Sequence, residues 1–180
     1  YLDEHHIFLE LEENKNEAID FSKLHAFHAD LNTSENIWQS LCYKFYDILK
    51  FDRIMIYQFL EDNTGKVIAE SIHGELTSVL NFRYPEFDIP AQARALYLKN
   101  LSRQIPDVFG KNIQLIGKKD SEINLSKSHI RAVSPIHLKY LENTGVTASA
   151  SFSIIVNSKL WGLVCCQKKK KKHITVDQRN

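Results

Sequence analysis

The sequence lacks the cysteine pattern of a disulfide-stabilised protein. It contains three cysteines, Cys42, Cys165 and Cys166, and two of them are adjacent. An odd number that includes an adjacent pair is a poor basis for a set of disulfide bridges. We therefore expect a reducing, cytoplasmic setting in which the thiols stay free.

The sequence also lacks a long apolar run and an excess of charge. No stretch approaches the roughly 18 apolar residues of a transmembrane helix, and no signal peptide opens the chain. The formal net charge is +1, so bulk charge favours neither nucleic acid nor a membrane surface as a partner. The five lysines at 168–172 are expected to form a solvated loop or strand end, with a phosphate or lipid contact as the alternative.

Catalytic and metal-binding patterns are missing too. The six glycines form no glycine-rich phosphate loop, and no nucleophile and base form a recognisable set. His25 and His28 have HxxH spacing, but they lack cysteine or carboxylate partners at a ligand spacing, so we expect no zinc site. The sequence thus predicts a domain that is not itself an enzyme.

What is present is an ordinary globular mixture. Hydrophobic residues make up 43% and charged residues 25% of 180 residues, enough for one domain and a short extension. The chain begins at Tyr1 without an initiator methionine and ends at Asn180, just after a segment that has the pattern of a helix start. We interpret it as a piece of a longer protein whose last helix is truncated.

One long amphipathic helix is predicted early in the chain. Thr33 or Ser34 can cap it, with Glu35 and Asn36 in its first turn, and it ends near Lys50. Its apolar residues recur at helical spacing, so one face is buried: Ile37, Trp38, Leu41, Phe45, Ile48 and Leu49. Before this helix, residues 7–11 read as an isolated strand.

Two antiparallel hairpins flank a long connection. Residues 53–60 pair with 66–71, and residues 149–156 pair with 160–167, because both pairs are rich in β-branched or aromatic residues and enclose turn residues. The connection contains a loop, short strands and helical segments, at 85–90, 91–99, 101–117, 126–131 and 136–143. This order predicts an α+β fold, an antiparallel sheet flanked by helices, with a pocket between the sheet and the inserted connection.

Five segments of the chain resemble the chromophore-binding GAF domain of phytochromes, most closely of bacteriophytochromes. They stand in the family's order and are FDRIMIY at 51–57, YPEFDIP at 84–90, AQARALY at 91–97, RAVSPIHLKY at 131–140 and LWGL at 160–163. The segment IFLELE at 7–12 is similar to the last strand of the PAS domain that precedes this GAF domain. We therefore expect a PAS remnant at 1–14 and a GAF domain at 15–180.

The resemblance implies a linear tetrapyrrole, or bilin, as the cofactor, with biliverdin as the first candidate. A bilin carries two propionates, and Arg103 and Arg131 are the candidate clamps because guanidinium groups bind carboxylates through paired hydrogen bonds. Ser149 and Ser151 share one face of a predicted strand and can add two donors. The plainer alternatives are surface ion pairs for the arginines and a half-buried polar strand face for the serines.

The resemblance also assigns roles around the pyrrole rings. Asp88, followed by Ile89 and Pro90, would offer its main-chain carbonyl to the ring nitrogens, although Asp88 alone is typical of a helix cap. His137 would stack on the pigment, and a nearby imidazole would make the absorbance depend on pH. Further positions around the rings are Tyr57, Tyr84, Tyr97 and Tyr140 near the rotating ring, Ile136 as an apolar wall, and Ser134 near the inner rings.

Several positions depart from the family pattern. Ile136 stands where plant and cyanobacterial phytochromes carry the cysteine that attaches the pigment, so a thioether at that position is excluded. Cys165 and Cys166 point to opposite faces of a predicted strand, and one should be inert core. Gln167 replaces a histidine that bonds the carbonyl of the rotating ring, and an amide can donate a similar bond. Phe87 replaces a small residue and is expected to crowd the pocket.

Two functions fit this pattern. The first is a photosensory domain in which Z/E isomerisation of the pigment switches an output module such as a histidine kinase, with PAS and PHY-type neighbours and a homodimer in the full protein. The second is a GAF domain without bilin, acting as a dimerisation element or as a receptor for a small ligand such as a cyclic nucleotide. The set of site residues favours the first.

Overall fold

The computed structural model describes residues 7–12, 35–114, 116 and 123–179. The predicted caps Thr33 and Ser34 and the pair His25 and His28 lie outside these residues. Among the helices within the described ranges, none has the length and hydropathy that crossing a bilayer requires.

Within the described residues, six antiparallel strands form a single sheet, which confirms the predicted α+β class. The strands are β1 Arg53–Phe59, β2 Gly65–Ile72, β3 Arg83–Tyr84, β4 Ser102–Ile105, β5 Ala148–Val156 and β6 Lys159–Lys168. Their order across the sheet is β3-β2-β1-β6-β5-β4, so the two predicted hairpins meet at the β1–β6 pair. The connection between the hairpins supplies both edge strands, and the short strand β3 was not predicted.

The hairpin turns have the backbone that their residues favour. Asn63 has φ of 62°, and the Asp62 carboxylate accepts the backbone N–H of Thr64 at 3.1 Å. In the second turn, Asn157 and Ser158 have φ of 49° and 61°, the two left-handed residues of a tight hairpin. Both turns therefore form where the sequence places Asn and its polar neighbours.

The long helix, α1 (Ile37–Leu49), packs on one face of the sheet. Its cap differs from the prediction, because the Asn36 side chain accepts the N–H of Gln39 at 3.1 Å and the helix begins after Asn36. Glu35 and Asn36 are therefore not in its first turn. The helix ends at Leu49, close to the predicted end, and its C-cap residue Lys50 adopts the left-handed conformation with φ of 54°.

Three shorter helices complete the fold. They are α2 Ala91–Lys99, α3 Pro135–Asn143 and α4 Val176–Arg179, and Pro135 occupies the first helical position of α3, where its missing N–H costs nothing. The predicted helix at 126–131 is wrong, because only a 3₁₀ turn forms at Leu125–Lys127. The Arg131 guanidinium donates a hydrogen bond to the Ser128 carbonyl at 3.1 Å. That carbonyl therefore accepts from a side chain instead of from a backbone N–H of a continuing helix.

The front segment 7–12 does not form the predicted strand. Only Ile7 makes an isolated bridge, and no neighbouring strand of the described residues pairs with the rest. Ionic and polar contacts hold it instead: Glu10 accepts the Ser128 hydroxyl, and Glu12 pairs with Arg179 at 2.5 Å. Its predicted role as a PAS remnant stays a prediction.

The lysine run lies where it was expected, at the end of β6 and in the following loop. Lys168 bonds the Asp52 carboxylate at 2.8 Å, and Lys171 bonds Asp107 at 2.6 Å. These pairs neutralise part of the run at its own surface, so it is not an open basic patch.

Candidate functional site

The two faces of the sheet carry different residues. One face packs against α1, and the opposite face, which we call the site face, lies under the connection. Alternation along β6 puts Cys166 in the α1 core at 0% exposure and Cys165 on the site face. Burial raises the pKa of Cys165 to about 12 and that of Cys166 as well, so both thiols are protonated and weak nucleophiles at neutral pH.

Aromatic residues from strands and connection meet on the site face. The Tyr57 and Tyr84 rings are 5.8 Å apart and tilted, and the Tyr140 phenol lies close enough to that of Tyr84 to influence its pKa. The Tyr97 phenol lies 3.0 Å from the Ser151 hydroxyl. Burial raises the pKa of all four tyrosines, so they present neutral phenols that can donate or accept hydrogen bonds.

Two glycines make room for Tyr57. A Cβ on Gly65 would lie 1.9 Å from the Tyr57 phenol carbon, and a Cβ on Gly162 would lie 2.5 Å from the Tyr57 carbonyl oxygen. Because neither approach is possible for a residue with a side chain, both neighbouring strands carry glycine beside this tyrosine. The position of Tyr57 is therefore set by the backbone on two sides.

Arg103 lies on β4, and its guanidinium turns to the loop before α3. It donates to the backbone carbonyls of His129 at 3.1 Å and of Arg131 at 2.6 Å. Burial, followed by the charge of Arg131, lowers the pKa of Arg103 to about 10, so it remains a cation at neutral pH. No carboxylate among the described residues forms an ion pair with it, which rules out a simple surface ion pair within this part of the chain.

Arg131 lies close enough to repel the Arg103 charge. Its guanidinium donates to backbone carbonyls, those of Ser126 at 3.4 Å and Ser128 at 3.1 Å. Backbone carbonyls position the Arg103 guanidinium without cancelling its charge. The two arginines therefore create a positive region at the edge of the site face.

The two predicted serines lie on β5 beside this region. Ser149 pairs in register with Gln167 and Ser151 with Cys165, so both project on the site face. Ser151 is buried, and its hydroxyl is already engaged by Tyr97. The neighbouring Ser153 donates to the Tyr97 carbonyl at 2.7 Å, which ties α2 to the sheet.

The start of α3 brings His137 to the same region. Its ring stacks on Tyr140 with centroids 6.1 Å apart. Burial, and then the Arg103 charge, lowers the pKa of His137, so the imidazole is neutral at neutral pH. Ser134 is the N-cap residue of α3 without a side-chain capping bond, and Ile136 is 83% exposed. The role of Ser134 near the inner rings and that of Ile136 as an apolar wall stay predictions.

The loop before α2 holds Asp88, Ile89 and Pro90. Asp88 ends a 3₁₀ turn and is exposed, and Pro90, not Asp88, is the N-cap residue of α2, so the helix-cap alternative is wrong. Partial burial raises the pKa of Asp88. Ile89 joins the site-face cluster, whereas Phe87 is 78% exposed and does not crowd it.

Arg94, which the sequence did not single out, holds this loop in place. Its guanidinium donates to the Ile89 carbonyl at 2.8 Å and to the Asn63 carbonyl at 2.5 Å, and it lies 4.4 Å above the Phe59 ring. A helical arginine thus links the loop to the turn of the first hairpin. Its position on α2 was predictable, but its partners depend on the sheet.

Gln167 is buried on the site face and bonded to Arg53. The Gln167 amide oxygen accepts from both Nε, at 2.9 Å, and Nη2 of Arg53. Arg53 Nη1 donates to the Thr77 carbonyl at 2.5 Å, and Nε lies 3.9 Å from the Glu70 carboxylate. The sequence did not indicate Arg53 or Glu70 as site residues. Along the chain, Gln167 lies 114 residues and Glu70 lies 17 residues from Arg53, so only the folded sheet brings them together.

A separate open cleft lies where the front segment meets the end of α2. Its lining residues are Phe8, Leu9, Glu10, Lys99, Asn100, Lys127 and His129. None of the predicted site residues lines it. Across the described ranges, no group of three or more potential metal ligands is found either.

Comparison with known proteins identifies the family to which this fold belongs. The GAF domain family matches residues 34–180. Cyanobacterial phytochrome B from Nostoc sp. is 43% identical over 152 residues, which cover 82% of this chain and 20% of that protein. A bacteriophytochrome from Pseudomonas aeruginosa is 49% identical over 120 residues, which cover 64% of this chain and 16% of that protein. The chain thus spans a fifth or less of the length of these relatives.

Solved structures agree with the fold. The chromophore-binding domain of a Stigmatella aurantiaca phytochrome superposes with a TM-score of 0.82 at 33% identity, covering 92% of this chain and 58% of that one. The chromophore-binding domain of an unusual bacteriophytochrome from R. palustris gives 0.79 at 35% identity, covering 88% of this chain and 55% of that one. This chain therefore belongs to the GAF domain family, and it is similar to the chromophore-binding domains of phytochromes.

Proposed function

We propose that this chain binds a bilin, preferably biliverdin, between the site face and the connection, and serves as the light-sensing domain of a phytochrome-like protein. The observation that carries the proposal is the pair Arg103 and Arg131. Both are held by backbone carbonyls, and Arg103 has no carboxylate partner among the described residues. Such a pair beside a tyrosine-rich surface suits an aromatic ligand with two acidic arms.

The other residues fit the remaining parts of a bilin. Ser149 and Ser151 lie beside the arginines for further bonds to a propionate, and the neutral His137 can accept or donate a hydrogen bond toward the inner rings. Tyr57, Tyr84, Tyr97 and Tyr140 would enclose one end ring. When bound, the bilin supplies the absorption of visible light and a double bond that can isomerise.

The described cysteines do not favour covalent attachment. Burial holds the thiols of Cys165 and Cys166 in the protonated form, and Cys42 is fully buried in the α1 core with a pKa raised to about 12. The position before His137 is Ile136. A covalent link, where one exists, would therefore use a residue outside the described part of the chain.

The wider setting is proposed by analogy with the phytochromes and bacteriophytochromes to which the chain is similar. We propose that neighbouring PAS and PHY-type domains cover the site, that the full protein is a cytoplasmic homodimer, and that the output is a histidine kinase or similar enzyme. In this scheme the chain senses light and has no catalytic step of its own. A change in the site would bias the contacts between domains.

Co-expression of the chain with haem oxygenase, which produces biliverdin, tests the proposal. The expected product is a coloured protein whose red absorbance changes on illumination. A zinc-stained denaturing gel then reports covalent linkage, and we expect no fluorescence from the chain. A colourless product that instead binds a cyclic nucleotide, or that dimerises without ligand, would overturn the bilin proposal.

A further inference from the structure

The amide of Gln167 has only one orientation open to it. Arginine offers donors and no acceptor, so the amide atom that faces Arg53 must be the oxygen. Two N–H groups of Arg53 point at that oxygen, from Nε at 2.9 Å and from Nη2. A rotation of the amide by half a turn would set an NH₂ against a guanidinium and leave both buried donors without an acceptor.

The Arg53 side chain is itself fixed on its other sides. It is 5% exposed, its Nη1 donates to the Thr77 carbonyl at 2.5 Å, and Glu70 lies 3.9 Å from its Nε. Glu70 in turn accepts the Ser78 hydroxyl at 2.6 Å and the N–H of Val79 at 3.1 Å. The guanidinium is thus held by β2 and by the loop that follows it, and cannot follow a movement of Gln167.

The Gln167 NH₂ group is left as a fixed donor. The side chain is 4% exposed and lies on the site face, between Arg53 on β1 and Ser149 on β5. Among the described residues, nothing accepts a hydrogen bond from this NH₂. This NH₂ is therefore free to donate to a ligand atom that can accept a hydrogen bond on the site face.

From this arrangement we propose that Arg53 is a positioning residue that locks Gln167 as a hydrogen-bond donor to a carbonyl group of the bound ligand. The inference rests on the proposed function, because a bilin carries such a carbonyl on each end ring. Arg53 acts through Gln167 and does not itself touch the ligand. An amide held this way donates and cannot accept, so the site selects an acceptor such as a carbonyl over a group that can only donate, such as an N–H, at this point.

The first test needs no pigment. In the chain labelled with ¹⁵N-arginine, the Arg53 Nε–H should exchange slowly with water. Gln167→Leu removes the acceptor and should speed this exchange strongly, whereas Gln167→Glu keeps an acceptor oxygen and should leave the exchange slow. Rapid exchange in the unmodified chain, or no change in Gln167→Leu, would overturn the clamp whether or not any pigment binds.

The second test uses the chain loaded with biliverdin. Gln167→Glu preserves the contact with Arg53 but has no N–H, so the end-ring carbonyl stretch in the vibrational spectrum should move to higher wavenumber. Arg53→Lys keeps a positive charge beside Glu70 but cannot direct two N–H groups of a planar guanidinium at the one amide oxygen, and it should produce a similar shift with Gln167 intact. Arg83→Met, at an exposed arginine paired with Asp62, is the matched control and should show no shift.

The outcomes separate the two proposals. A chain that takes up no biliverdin refutes the proposed function, and the Arg53 clamp is then judged by the exchange measurement alone. A loaded chain in which Arg53→Lys leaves the carbonyl stretch unchanged refutes the positioning role while the proposed function stands. Gln167→His, which restores a donor, should return the stretch toward that of the unmodified chain.

Discussion

The two faces of the sheet are built from different interactions, although they share the same strands. On the α1 face, Ile54, Ile56 and Cys166 are completely buried in an apolar core. On the site face, the apolar cluster around Leu163 gives way to phenols, serines and guanidinium groups. The first face contributes stability through burial of apolar area, whereas the second holds polar groups ready for a ligand at some expense of stability.

The polar groups of the site face are held mostly by backbone carbonyls. Arg103, Arg131 and Arg94 all donate to loop carbonyls, so each side chain fixes a loop of the connection. A face built in this way is ordered before a ligand arrives, which lowers the entropy that binding must overcome. Four changes separate the contributions of the two faces.

The largest effect is expected on the α1 face. Ile54→Ala removes a side chain at 0% exposure and should lower the free energy of unfolding by about 2–5 kcal/mol, because a cavity replaces buried methyl groups. Urea unfolding followed by circular dichroism measures this. Pigment affinity per folded molecule should not change. A loss of affinity in the folded fraction would contradict the assignment of stability to the α1 face and of ligand binding to the site face.

Arg103→Met, in contrast, should lower the affinity for the pigment. Loss of a charged donor to a propionate is worth about 1.5–3 kcal/mol, so biliverdin affinity should fall roughly 10- to 150-fold in a titration followed by absorbance. The exposed Arg83→Met is the control for the loss of one positive charge. Equal affinity in Arg103→Met and Arg83→Met would mean that Arg103 serves only its loop carbonyls.

Gly65→Ala should change both the stability of the fold and the pigment site. Its new Cβ would lie 1.9 Å from the Tyr57 phenol, so the ring must move, at a cost of about 1–3 kcal/mol of unfolding free energy. The displaced ring should also alter the absorption band of the bound pigment. A variant with unchanged stability and unchanged spectrum would show that Tyr57 is not confined between the strands.

The smallest effect concerns His137. Its pKa is lowered in the folded chain, so the unfolded chain binds a proton more readily, and stability should fall as the pH drops below about 6.5, the usual histidine value. The slope contributed by one proton is at most about 1.4 kcal/mol per pH unit. Urea unfolding at pH 7.5 and 5.5 should show a smaller difference for His137→Gln than for the unmodified chain. An identical difference would exclude His137 as the source.

The elements that local pattern specifies were predicted well from the sequence. Local features of the sequence specify both hairpins, the helix at 91–99 and the amphipathic helix α1. These features are the spacing of apolar residues, the turn residues and the caps, which lie close together in the chain. The exceptions have local competitors. Asn36 capped α1 instead of joining it, and Arg131 took carbonyls that a helix at 126–131 would have used.

The site was predicted less completely, because its contacts join distant parts of the chain. The resemblance identified Arg103, Arg131 and His137 as site residues. It did not indicate that Arg103 and Arg131 repel each other, or that Arg103 and His137 are partly buried. Nothing local indicates that Arg53 would meet Gln167, since that contact exists only once β1 and β6 pair in register. Strand register is a tertiary property, and a single sequence without relatives does not specify it.

A titration with two matched ligands tests the central claim that paired cations on the site face recognise two acidic arms. The purified chain would be titrated with biliverdin and with biliverdin dimethyl ester, which has the same rings but no carboxylates, and binding followed by red absorbance. The free acid should bind clearly more tightly than the ester, and an Arg103→Met, Arg131→Met double variant should no longer distinguish the two. Equal affinity of the unmodified chain for acid and ester would contradict the claim.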